Sequence, residues 1–244
     1  MRNGVISVRM PGIRETVRPV TREGAAVSSI TQGRERWSPE LFAREQIRGL
    51  VRQLFFSNAT SPARQIIFSP VEQETDVRTI CRQVAESLAM ETAGTVAVTG
   101  EYPSAEPDHF KQSPIAEEGL GESLEEGLPS PETSIHLQNN LWLVAGPADD
   151  GRDQTASSLH SYMGSLRSKF EYSVIEGPPA GESMRATAMA QFADGLVLVL
   201  SASHTRRATA QKIKSMLESA NVRLLGTVLS DRDFPIPERI YRRL

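Results

Sequence analysis

The sequence is poor in cysteine and in aromatic residues, and it has no long apolar run. A single cysteine, Cys81, stands among 244 residues, so no disulfide can form within the chain, and a reducing compartment is expected. The longest unbroken apolar stretch, Leu196–Leu200, is the length of a strand. A membrane-spanning helix needs about 18 to 20 such residues. Met1–Arg14 has no apolar stretch of the signal-peptide kind. A cytoplasmic protein is therefore expected, with any membrane association made through a partner. A strong positive charge is also lacking: the net charge is −3, which argues against a nucleic-acid binder. His109, His136, His160 and His204 are dispersed, and no pair has metal-ligand spacing. The Gly181–Arg185 stretch, Gly-Glu-Ser-Met-Arg, lacks the second glycine of a nucleophile elbow.

What is present is an alternation of apolar runs and helical patterns, with 39% apolar residues to supply a core. Residues 1–38 carry seven Arg against three Glu and no periodicity, which reads as a flexible basic tail. Pro39–Phe56 is helical in pattern, with Ser38 as N-cap and Pro39 at the first position. Six strand-like runs follow: Gln65–Phe68, Thr95–Thr99, Leu141–Ala145, Ser173–Ile175, Gly195–Leu200 and Leu224–Leu229. Helical patterns lie between them at Thr75–Met90, Leu159–Phe170, Ser183–Phe192 and Thr205–Ser219. This order predicts a single α/β domain over residues 39–244, with a mostly parallel, doubly wound sheet flanked by helices. Ligands of such folds sit at the C-terminal ends of the strands. Residues 101–132 hold nine acidic residues against one lysine and read as an acidic loop insertion, and residues 231–244 form a C-terminal tail.

Several motifs in this frame carry a resemblance. Phe170-Glu171-Tyr172-Ser173-Val174-Ile175-Glu176-Gly177-Pro178-Pro179 resembles the Walker B strand and Pro-Pro turn of bacterial tyrosine kinases. Ala193-Asp194-Gly195 opens the next strand, Thr205-Arg206-Arg207 the next helix, and Leu225–Leu229 matches the last core strand. Leu141–Gly146 is similar to a further strand and its turn. Over roughly residues 40–244 the chain resembles the capsular exopolysaccharide tyrosine kinases of the CpsD/CapB type, which are P-loop ATPases related to MinD and ParA. The resemblance implies a P-loop NTPase-like fold of the deviant Walker type, ATP and Mg²⁺ as cofactors, and a homo-oligomer or a hetero-oligomer with a related kinase. It also implies a partner, the cytoplasmic tail of an inner-membrane polysaccharide co-polymerase.

The nucleotide-binding motif departs from this pattern. A working loop reads Gly-x-x-x-x-Gly-Lys-Ser/Thr between a strand and a helix. The corresponding segment runs Ser69, Pro70, Val71, Glu72, Gln73, Glu74, Thr75, Asp76, Val77. Pro70 has no N–H, Thr75 adds a side chain where glycine admits phosphate, Asp76 replaces the ammonium, and Val77 has no hydroxyl for Mg²⁺. Two unit charges 4 Å apart interact by about 4 kcal/mol at an effective dielectric near 20. Replacing that attraction by a repulsion weakens binding by at least roughly a thousandfold. The helix dipole contributes only about 0.3–1 kcal/mol in return. Of the second carboxylate motif, Thr99 and Glu101 remain as vestiges; Glu176 stands at the Walker B aspartate, and Ser230 at an asparagine near the base site. Nucleotide binding is expected to be weak or lost.

These residues lead to a pseudo-ATPase or pseudokinase subunit of exopolysaccharide or capsule biosynthesis. One alternative is a divergent autophosphorylating tyrosine kinase, with a lysine supplied by Lys111 or Lys169. Another is a MinD/ParA-like scaffold. Glu45, Arg48 and Arg52 are either a remnant of the family's Glu-x-x-Arg-x-x-Arg interface or ordinary helix charges. Tyr241 is either a candidate phosphosite or an aromatic anchor. Asp76 is expected to be a loop carboxylate whose removal leaves folding intact, and Cys81 a buried structural thiol.

Overall fold

The computed structural model describes residues 7–9, 39–57, 62–100, 134–147, 156–202 and 204–230. Eight strands form one sheet in the order β1-β8-β7-β2-β6-β3-β5-β4. They are β1 (Ser7–Arg9), β2 (Gln65–Pro70), β3 (Val96–Gly100), β4 (Ile135–Gln138), β5 (Leu141–Ala145), β6 (Tyr172–Glu176), β7 (Gly195–Ser201) and β8 (Leu224–Ser230). All neighbours are parallel except β4, which lies antiparallel to β5. The helices are α1 (Pro39–Val51), continued by a π-helical turn (Arg52–Phe56), α2 (Arg78–Glu91), α3 (Ala156–Lys169), α4 (Met184–Ala190) and α5 (Arg207–Ser219). No described helix is long and apolar enough to cross a membrane.

Both faces of the sheet are covered, as the unbroken apolar strands require. One core gathers α1, its π turn and α2 over Ile66, Phe68, Val98 and Val199. The other gathers α3, α4 and α5 over Ile67, Ala97, Ile175 and Leu198. Successive residues of a strand point to opposite faces, so Ile66 and Ile67 enter different cores. Every residue of β2 is buried. Cys81 is buried in the first core, where desolvation, the largest cause, raises its thiol pKa well above the ordinary value, in keeping with an inert structural role.

The six expected strands are all present, and the sheet has two more. Ser7–Arg9, expected within a flexible tail, forms an edge strand parallel to β8, with Val8 opposite Val228. Three residues are too few for a periodic signal, and only the open edge of β8 gives them hydrogen-bond partners. Ile135–Gln138 forms the other edge, a short strand with a register shift between His136 and Gln138. The remainder of 1–38, including the proposed cap Ser38, and the segments 101–132 and 231–244 lie outside the described residues.

The Ala-Asp-Gly motif works at the N-terminal end of the sheet. One oxygen of the Asp194 carboxylate accepts the backbone N–H groups of Arg64 (2.7 Å) and Gln65 (2.8 Å), and the other meets the Arg167 guanidinium at 2.7 Å. One side chain thus joins β2, β7 and α3. Burial alone would raise the Asp194 carboxyl, but Arg167 and the two amides outweigh it and hold the pKa below its ordinary value. Gly195 follows because a Cβ there would lie 2.5 Å from Leu225 Cγ and 2.9 Å from the Arg223 carbonyl oxygen.

Two outcomes follow from this packing. Leu198, 1% exposed in β7, should cost about 2–5 kcal/mol on truncation to alanine, as read by urea unfolding. The lowered pKa of Asp194 means that its contribution is complete above about pH 4 and lost as pH falls through the lower, folded-state value. Asp194→Asn should therefore lie well below the wild type in unfolding free energy at pH 7. The gap should narrow by pH 3, and a gap independent of pH would remove the carboxylate from this role.

Candidate functional site

The loops after β6, β2 and β7 meet at the C-terminal ends of three adjacent strands, where the strand order reverses about β2. The middle one is Ser69–Val77, the segment compared above with a phosphate loop. It does not curl away from the sheet after β2. Val71 stays in register, its N–H donating to the Val199 carbonyl at 3.0 Å, and the Pro70 carbonyl accepts from Ala180 N–H at 2.8 Å. A turn follows, closed by Thr75 N–H on the Glu72 carbonyl at 3.3 Å, and α2 begins at Arg78. The sequence pattern places the helix over Thr75–Met90; it begins at Arg78, with Val77 at the N-cap position and the Asp76 carboxylate bonded to Thr79 in its first turn.

Asp76 is therefore not a carboxylate without a partner. Its Oδ1 accepts the Thr79 backbone N–H at 3.1 Å, and its Oδ2 accepts the Thr79 hydroxyl at 2.7 Å. Both bonds run from Thr79 to the one carboxylate, which places negative charge at the positive end of the helix dipole. The pattern Asp-x-x-Thr, Asp76 to Thr79, is legible in the sequence. Val77 points into the first core at 3% exposure, so an apolar side chain is buried where a hydroxyl would meet a metal. Thr75 is buried as well, whereas Gln73 and Glu74 are exposed.

The neighbouring loops close around this segment. Ser69 Oγ donates to the Pro178 carbonyl at 2.6 Å. A Cβ on Gly177 would lie 2.6 Å from Ile67 Cγ2, and one on Gly181 would lie 2.7 Å from the Val71 carbonyl oxygen. The Gly-Pro-Pro-Ala-Gly turn is thus packed against the end of β2. Glu176, at the Walker B position, faces Arg78 of α2, with Nε and Oε2 3.6 Å apart. Thr99 ends β3 next to Ile175, and the buried hydroxyls of Thr75 and Thr99 have no hydrogen-bond partner among the described residues. Ser230 is buried, its hydroxyl donating to the Leu200 carbonyl at 3.2 Å. Ser183 is the N-cap of α4, accepting from Arg185 N–H at 3.1 Å. Sequence reasoning passed over Arg78, Thr79, Glu72 and Thr205, all of which bond within this end of the sheet.

Other candidates lie elsewhere. Lys169 ends α3 just before β6 begins, a full strand away from the loop it was considered to serve. Glu101, Lys111 and Tyr241 lie outside the described residues. Arg48 and Arg52 have a partner within the chain. Glu91, on the last turn of α2, accepts Arg48 Nε at 2.5 Å and both Nε (3.2 Å) and a terminal nitrogen (3.1 Å) of Arg52. Arg48 first and Arg52 second lower the Glu91 pKa. Glu45 lies 4.0 Å from Arg48. The two arginines thereby bind α1 and its π turn to α2.

No protein-family model matches the chain. It is 20% identical over 203 residues to CapB of Staphylococcus aureus, named as a tyrosine-protein kinase, with 79% of this chain and 86% of CapB covered. A segment of 65 residues is 32% identical to the tyrosine-protein kinase CpsD of Streptococcus agalactiae, covering 27% of this chain and 28% of CpsD. The chain is thus similar to the CpsD/CapB-type tyrosine kinases. The fold agrees: the crystal structure of the chimerical protein CapA2B2 superposes with a TM-score of 0.62 at 19% identity, over 82% of this chain and 88% of that one.

Asp76→Ala should lower the unfolding free energy by about 0.5–2 kcal/mol, because it removes a cap that the helix uses. Asp76→Asn should retain most of that stability. Denaturant titration of both variants checks the assignment.

Proposed function

We propose that this relative of the capsule and exopolysaccharide tyrosine kinases is a non-catalytic subunit, a pseudokinase that regulates or assembles polysaccharide machinery without binding nucleotide. The observation that carries the reading is the Asp76 carboxylate bound at the first turn of α2. In a P-loop the start of this helix presents its N–H groups to phosphate. Here a carboxylate of the chain already occupies the helix end, and a triphosphate brought there would meet its negative charge. The side chains around it fit Mg²⁺-ATP poorly for the same reason: Val77 is buried without a hydroxyl, and Arg78, a cation, stands beside Glu176 where a metal would need a carboxylate. The protein would act through contacts, with the cytoplasmic tail of an inner-membrane polysaccharide co-polymerase as partner and copies of itself or of a related kinase as neighbours.

A tyrosine-kinase reading needs an ammonium near the phosphates. Asp76 replaces it in place, and Lys169 lies at the other end of β6. No structural feature favours that reading over the first.

Calorimetry and thermal shift with ATP and ADP in the presence of Mg²⁺ test the proposal. A ligand at a hundred times its dissociation constant stabilises a fold by about 2.7 kcal/mol, so binding would be plain. No heat and no shift at millimolar nucleotide is the expected result; micromolar binding would overturn it.

A further inference from the structure

The three loops at the C-terminal edge are bonded to one another by backbone and side-chain groups. On the β6 side, Gly177 N–H donates to the Phe68 carbonyl and Ala180 N–H to the Pro70 carbonyl, both at 2.8 Å. The Ser69 hydroxyl reaches the Pro178 carbonyl at 2.6 Å. On the β7 side, Val71 N–H meets the Val199 carbonyl at 3.0 Å. Glu72 Oε2 accepts the Thr205 hydroxyl at 3.2 Å, and that hydroxyl oxygen accepts Ser201 N–H at 3.0 Å. Arg78 approaches Glu176 across the gap between α2 and β6. Gly181 completes the contact: a Cβ there would meet both the Val71 carbonyl oxygen at 2.7 Å and Ile213 Cδ1 of α5 at 2.9 Å.

A ligand moves a protein between two states only through a difference in affinity for them. A site whose loops are joined by the bound ligand has such a difference, because the bonds between loops exist only when the ligand is present. In this chain the same loops are joined directly by Glu72, Thr205, Ser69 and the backbone of Pro70 and Val71. Glu72 is the informative member. It follows Val71 directly, and its carboxylate crosses from the β2 loop to the turn that leads into α5.

We infer that residues 69–78 and 177–181, with Ser201 and Thr205, form a permanently closed clasp, so that this end of the protein holds one conformation and presents it to a partner independently of nucleotide. The inference rests on the non-nucleotide reading above and adds that the switching motion itself is gone. The loss of nucleotide binding alone would leave open whether the loops still move.

Hydrogen exchange by mass spectrometry on the full chain separates the two claims. In the wild type, peptides covering 177–183 and 201–207 should exchange well below free-peptide rates, and millimolar MgATP should change nothing. Glu72→Ala should speed exchange in 201–207 about three- to tenfold, the loss expected for one hydrogen bond. Glu72→Gln, which keeps an acceptor oxygen for Thr205, should stay close to the wild type. Slow exchange at Leu196–Val199 in both variants shows that the fold is intact. Protection of these loops by MgATP in the wild type would sink the non-nucleotide reading and the clasp together. Free-peptide exchange of the loops with no MgATP effect, or no change in Glu72→Ala, would sink the clasp alone.

Discussion

Strand β2 must bury both of its faces and still satisfy its backbone polar groups, and the arrangement of the other elements follows from that demand. A buried N–H or C=O without a partner costs about as much as a lost hydrogen bond. The ladders with β6 and β7 meet most of the requirement. At the start of the strand, where the ladder runs out, the Asp194 carboxylate takes the amides of Arg64 and Gln65. At its end, Ala180 N–H takes the Pro70 carbonyl and Val199 takes Val71 N–H. Proline at position 70 is tolerated because the strand needs an acceptor there.

The same demand explains the packing of the Ala-Asp-Gly and Gly-Pro-Pro segments at the two ends of β2. Asp194 and Gly195 hold the beginning of β2 and allow Leu225 to approach closely. The glycines flanking Pro178 and Pro179 lie against Ile67 and Val71. These residues have structural work that does not depend on a nucleotide. Positions 70, 75, 76 and 77 carry a proline, a buried threonine, a carboxylate bonded to Thr79 and a core valine.

The electrostatics of α2 are arranged at both ends. Its N-terminus, with partial positive charge, has Asp76; its C-terminus, with partial negative charge, has Glu91, the unfavourable sign. Arg48 and Arg52 offset that sign and join the first helix to the second. Residues that look like an interface motif in the sequence thus have an intrachain task. Both arginines remain about half exposed, so the clamp also forms part of the surface of α1 and its π turn.

The sequence by itself determined the α/β class, the doubly wound parallel core and the identity of its six central strands. Five-residue apolar runs between helical patterns can bury both faces only in that way. It also determined that Ser69–Val77 does not carry the Gly-x-x-x-x-Gly-Lys-Ser/Thr pattern, because that is a property of residue type. The tertiary structure decided what each replaced residue does instead. That Asp76 caps a helix, that Glu72 meets Thr205 across 133 positions of sequence, that Glu91 gathers two arginines, and that Ser7–Arg9 closes the edge of β8 all depend on which segments the sheet brings together. Such pairings have no period to read. They arise where polar groups left unmatched by secondary structure find partners that only the folded chain places within reach.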